Sequence, residues 1–112
     1  MKRMGGNTDA VIQISTTTKN EIGIQTKTWK DVQTLRGYFD LISGDSHFRV
    51  YNAKIQESSH VFICDYTILN PKVRTETARM VIDGEAYDIT LIDNPMRLKS
   101  QWEFFLKYTG GQ

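Results

Sequence analysis

The stretch Ala78 to Ile82, Asp83-Gly84, Glu85 to Asp93 constrains this chain more than any other. An Asp-Gly pair between two alternating apolar runs favours a type I′ turn, whose twist matches that of antiparallel strands. The spacing predicts a hairpin with Tyr87, Ile89 and Leu91 facing a core. Other segments repeat the pattern. Ala10 to Thr17 places Ile12 and Ile14 on one face and Val11, Gln13 and Ser15 on the other. Lys19 to Gly23 supplies turn residues, and Ile24 to Lys30 resumes as a Thr-rich strand ending at Trp29. Val32 to Ile42 reads as a third strand, with Leu35, Phe39 and Leu41 at even spacing and a bulge or bend at Gly37. Trp102, Phe104, Leu106 and Tyr108 alternate with Glu103 and Lys107 in a last strand.

Ser58 to Ile68 differs in carrying large apolar groups on both faces, Val61 and Ile63 on one, Phe62 and Tyr66 on the other. A strand of that kind is covered on two sides, and in so small a chain the second cover is expected from a neighbouring subunit. Val61, Phe62, Ile63 and Tyr66 are therefore the candidate subunit interface. Between the early strands and this one, Ser43-Gly44-Asp45-Ser46 breaks the pattern. Phe48, Tyr51 and Ile55 then follow at the spacing of a short helix.

The 112 residues suffice for one core and not two. The fold expected is a mainly β domain over residues 10–108: a small antiparallel barrel of about six or seven strands with one long loop or short helix. Closure removes edges that would otherwise recruit foreign strands. Residues 1–9 and 109–112 are expected as loose tails. The basic start Met1 to Met4 runs into Gly5-Gly6-Asn7 rather than an apolar stretch, so it does not read as a signal peptide. No apolar run approaches the ~20 residues of a membrane-spanning helix.

Fourteen Lys and Arg against thirteen Asp and Glu give a formal charge of +1, far from the surplus of a protein that works by neutralising phosphates. The lone Cys64 excludes an internal disulfide and a multi-cysteine zinc site. His47 and His60 sit in no metal-binding spacing. Cys64 with His60 as its base would need two side chains about 13 Å apart on a regular strand to meet, so Cys64 reads as a small buried residue. Asp83, Glu85 and Asp88 are accounted for by the turn. Neither Gly5-Gly6 nor Gly110-Gly111 flanks a strand-to-helix junction that could cradle phosphate. No catalytic, cofactor-binding or metal-ligating residue is expected. An OB-like barrel binding single-stranded nucleic acid by stacking on Trp29, Tyr38, Tyr51 and Tyr66 is the alternative from another class, set against a scattered and interleaved charge pattern.

Taken in order, Asn20-Glu21-Ile22-Gly23, Thr26-Lys27-Thr28-Trp29 with Val32, Leu41 to Asp45, His60 to Ile63, and Arg79 to Ile89 resemble the phage head-tail joining family, the small head-closure (head-completion) proteins of long-tailed phages. The resemblance spans Ala10 to Tyr108. It departs at Cys64, where many members carry arginine, and over Asn70 to Thr77. It implies a non-enzymatic homo-oligomeric ring in the virion, assembled in the host cytoplasm. That ring would bind the head-tail adaptor and portal on one side and a tail completion or terminator protein on the other. It would retain packaged double-stranded DNA, which passes through its hole. The long loop, with Ser43, Gly44, Asp45, Ser46, His47, Arg49 and Lys54, is then the channel-facing candidate. Its acids and bases balance, which lets DNA slide.

Overall fold

Six antiparallel strands make up the regular structure in a computed structural model that describes residues 8–42, 58–94 and 100–109. They are β1 (Thr8–Lys19), β2 (Gln25–Leu41), β3 (His60–Asp65), β4 (Ala78–Ile82), β5 (Glu85–Asp93) and β6 (Gln101–Tyr108). Hydrogen bonding in the order β1-β2-β3-β6-β5-β4, with β4 returning to β1, closes the sheet into a barrel. The ladder Ala10 to Ile14 against Ile82 to Ala78 forms the seam. At Asp83 and Gly84 φ is +52° and +79°, the left-handed pair that the Asp-Gly hairpin requires.

The barrel is filled by side chains from every strand, among them Ala10, Ile12, Leu35, Phe62, Cys64, Met80, Ile82, Tyr87, Ile89, Phe104 and Leu106. Phe62 and Phe104 are fully buried with ring centroids 6.3 Å apart. Each contributes roughly 2–3 kcal/mol by leaving water. Gly37 is in the wall because nothing larger fits: a Cβ there would meet the Ile63 carbonyl oxygen, with the Phe62 ring at 2.8 Å and the Cys64 Cβ at 2.9 Å.

Several sequence expectations change. Ile24 to Lys30 and Val32 to Ile42 are one continuous 17-residue strand. Ile12 pairs with Gln33 and Gln13 with Asp31, which leaves Val32 as the bulged residue and gives Gly37 close approach, not a bend. Leu41 is 67% exposed although Leu35 on the same strand is buried. A second bulge skips Thr90: Ile89 pairs with Leu106 and Leu91 with Phe105. The extra residue swings Leu91 off the core face and turns Ile92 toward the core. Thr90 Oγ1 donates to the Phe105 carbonyl at 2.9 Å, so the bulge is fastened across the ladder.

The ends are also tied further out than expected. Thr8 and Asp9 already pair with Gly37 and Arg36, and the Arg36 guanidinium meets the Asp9 carboxylate at 2.9 Å. Thr109 Oγ1 donates to the Ala86 carbonyl at 2.8 Å. The long loop expected over Ser43 to Glu57, and the short helix expected at Phe48, Tyr51 and Ile55, fall outside the described residues.

Candidate assembly surface

The β1–β2 hairpin outruns the barrel. β1 pairs with β4 only as far as Ile14, with one further rung where the Ser15 N–H donates to the Thr77 carbonyl at 2.9 Å. On its other edge β2 meets β3 only from Tyr38 onward. Among the described residues, Thr16 to Lys19 and Gln25 to Thr28 are therefore paired only with each other, an arm of four residue pairs that extends about 13 Å at ~3.3 Å per residue before its turn. Its residues have no apolar face. Thr16 and Thr28 share a hydroxyl hydrogen bond of 2.8 Å across the strands, and threonine suits a ribbon that is solvated on both sides.

At the tip, Asn20 organises the turn. Its Oδ1 accepts from the Ile22 N–H at 3.0 Å and the Ile24 N–H at 2.9 Å. The Asn20 N–H donates to the Ile24 carbonyl and the Gly23 N–H to the Asn20 carbonyl, both at 3.0 Å. Gly23 takes φ +86°. The turn is internally satisfied, yet it holds Ile22 and Ile24 in water at 79% and 56% exposure. Asn20→Ala removes the acceptor of two backbone N–H groups, costing about 1 kcal/mol locally. Amide hydrogen exchange at Ile22 and Ile24 is expected to accelerate severalfold, while exchange at Phe62 and Phe104 stays unchanged.

Where the arm leaves the barrel its two sides are unlike. On one, Trp29 lies beneath the Arg79 guanidinium at 4.1 Å, with Lys27 Nζ at 4.9 Å. Arg79 Nε donates to Gln13 Oε1 at 2.8 Å and Gln13 Nε2 to Asp31 Oδ1 at 2.7 Å. A groove beside them is lined by Lys27 and Lys107 but also by Glu76 and Asp88. On the other side, a groove of about 440 Å³ runs between Ile14, Ser15 and Thr16 of β1 and the segment holding Pro71, Lys72, Arg74 and Thr77.

That segment is pinned in place. Gln33 accepts from the Asn70 N–H at 2.7 Å and donates to the Ile68 carbonyl at 3.0 Å. The Arg74 carbonyl accepts from the N–H groups of Thr77 and Ala78 at 3.2 and 2.8 Å.

The interface expected at Val61, Phe62, Ile63 and Tyr66 rests on a face left uncovered, and for two of the four the chain supplies the cover itself. Phe62 points into the barrel and is fully buried. Val61 is buried in an outer cluster with Ile42 and Phe105, against which Ile63 and the out-swung Leu91 pack. Ile63 and Tyr66 are half-buried, and Tyr66, just past the end of β3, stacks on Trp102 at 5.2 Å. Trp102 in turn donates from Nε1 to the Thr67 carbonyl at 2.7 Å.

The other chemistry-bearing residues do not gather. Burial pushes the Cys64 thiol up to about 11, with the Asp65 charge adding to the shift, so it is a neutral thiol at neutral pH. His60 stacks on Phe39 at 5.1 Å and meets Tyr87 edge-on at 5.2 Å. Burial lowers its pKa, and the Asp40 and Glu85 charges oppose the shift. Among the described residues no group of three His, Cys, Asp or Glu side chains is placed to hold a metal ion. Trp29 and Tyr38 are nine residues apart on β2, about 30 Å, so they form no common stacking platform. Tyr51 lies outside the described residues, as do Ser43, Gly44, Asp45, Ser46, His47, Arg49 and Lys54.

One ionisable group was not legible as buried. Glu103 alternates as a surface residue should, yet it is 7% exposed, opposite Asp93 and bonded by Gln101 Nε2 at 2.8 Å. Burial raises its pKa; the Gln101 hydrogen bond opposes this, and Asp93 adds a smaller push upward. The native state thus holds that proton more tightly than the unfolded chain. Stability falls as pH rises from the ordinary carboxylate value through the raised one. His60 acts in the opposite sense, its contribution being lost as pH falls from the ordinary imidazole value through the lowered one. Glu103→Gln is expected to flatten the first slope and raise Tm at neutral pH, leaving the His60 slope intact, as thermal melts across pH will show.

No family model and no curated protein matches this sequence. Among solved structures, the fold is similar to the solution structure of protein SF1141 from Shigella flexneri 2a, with a TM-score of 0.72 over 100% of both chains at 15% sequence identity. At that identity the likeness is one of fold.

Proposed function

We propose that the chain is a structural assembly subunit of the head-closure kind. In this reading it forms a ring between the portal-adaptor complex and the tail of a bacteriophage, holding packaged DNA and giving the tail a docking platform. The observation that carries the assembly part is the arm. A barrel closed on itself has no need of a hairpin projecting four residue pairs beyond it, nor of a well-made turn holding two isoleucines in water. An apolar tip on a rigid, polar ribbon is the form of a contact made with another molecule. The phage assignment rests on the ordered sequence resemblance, with the Ser43 to Glu57 loop as the channel-facing part.

A ring requires a heterologous interface, in which two different patches of one chain meet and the rotation closes. Electron microscopy of the purified protein at increasing concentration tests this. Rings of one diameter with an axial hole are expected. Particles that remain single subunits at every concentration, and no ring on phage heads carrying the protein, would overturn it. The alternative, stacking on single-stranded nucleic acid, has Trp29 beside Lys27 and Arg79 in its favour. It predicts tryptophan quenching by oligonucleotides at low salt, where the assembly reading predicts none.

A further inference from the structure

We propose that the arm tip of one copy seats in the groove at the arm base of the next, with Ile22 and Ile24 covered by its floor and Glu21 facing Lys72 and Arg74. The inference rests on the assembly reading and specifies its contact. Three observations select this occupant. Ile22 and Ile24 need cover, and the groove between Ile14 and Pro71 offers apolar surface beside a backbone held rigid by Gln33 and Arg74.

The charges also match. Glu21 is the acid at the tip, and the groove lining contains Lys72 and Arg74 and no carboxylate. The groove on the Trp29 side mixes Glu76 and Asp88 with its lysines and would set like charges against Glu21. Finally, the geometry permits a chain of contacts. Among the described residues the β1 edge of the arm has no sheet partner beyond the Ser15 rung, so a neighbouring arm can lie along it and bring its tip to the base. Tip and groove are separate patches, so each copy can give its tip to one neighbour and its groove to the other.

The test is an oxidative cross-link with Glu21→Cys and Arg74→Cys in one chain. Position 21 lies in the turn beyond Lys19, about 13 Å along the arm from the groove of its own chain, well beyond disulfide reach, so any bond joins two copies. Wild type, whose Cys64 is buried and protonated, serves as the blank. A ladder of dimers, trimers and larger species on a non-reducing gel is expected, and Ile22→Asp in the same chain should abolish it. A ladder as strong with Asp88→Cys in place of Arg74→Cys would overturn the choice of groove. Products stopping at dimer would overturn the head-to-tail contact. If light scattering shows that wild type assembles while the 21–74 pair gives no ladder, this docking is wrong and the assembly reading stands. If neither is seen and phage heads carrying the protein show no ring, both fall.

Discussion

Gly37→Ala is expected to cost about 3 kcal/mol, at the upper end of overpacking penalties in a well-filled wall. That is about 30–50% of the roughly 6–10 kcal/mol a domain of this size commonly has. The added methyl would run into the Ile63 carbonyl oxygen, the Phe62 ring and the Cys64 Cβ. Two of those three are backbone or directly attached to it. β3 cannot step back, because it pairs with β6 on its far edge from His60 to Asp65. β2 cannot step out without losing Tyr38 to Leu41, its only rungs with β3. Urea unfolding measures the loss directly, with Tm falling by on the order of 15 °C. A change below about 3 °C would mean that the β2–β3 seam has slack the geometry does not show.

Ile22→Asp with Ile24→Asp carries the second large effect, and it falls on association, not folding. In the free subunit both side chains are in water, so the urea midpoint is expected to move by no more than about 0.5 kcal/mol in stability. In the proposed assembly each isoleucine, once buried, would contribute roughly 1.5–3 kcal/mol. Losing both therefore weakens each subunit contact by about 10²- to 10⁴-fold at 1.4 kcal/mol per tenfold. Sedimentation over a concentration series separates the two readouts. Equal association of variant and wild type would remove the arm tip from the interface, and a destabilised variant would show that the tip packs on its own subunit.

What local chemistry decides, the sequence made legible. Asp83-Gly84 admits one turn type, and the alternation of Tyr87 and Ile89 fixes the inward face of the strand that follows. The bulges at Val32 and Thr90 were hidden because neither residue announces one. A bulge is chosen by what it does to distant partners, here turning Leu91 outward to join Val61 and Phe105. That same turn explains why two apolar faces on β3 misled the inference to a neighbour's cover at Val61 and Phe62: the outer face is clothed by residues from β5, β6 and Ile42, remote in sequence.

Gly37 showed the same limit. A glycine in a strand is visible, but the carbonyl pressed against it belongs to another strand. The arm had a readable signal that composition alone obscured. Thr16-Thr17-Thr18 and Thr26-Lys27-Thr28 offer no apolar alternation with which to lie on a core, and Ile22 and Ile24 stand among polar turn residues. A strand pair without an inward face, capped by apolar residues, is a projection.

The barrel closes on itself, and the arm beyond it is proposed to serve assembly. Excising the arm tests that role most directly, with residues 17–27 replaced by Asn-Gly so that Thr16 and Thr28 close a two-residue hairpin. The mass of this chain in sedimentation, measured beside its thermal melt, is the decisive pair. A melt within a few degrees of wild type is expected, with a single-subunit mass at every concentration where wild type forms larger species. Assembly undiminished without the arm, or a barrel that no longer folds, would contradict it.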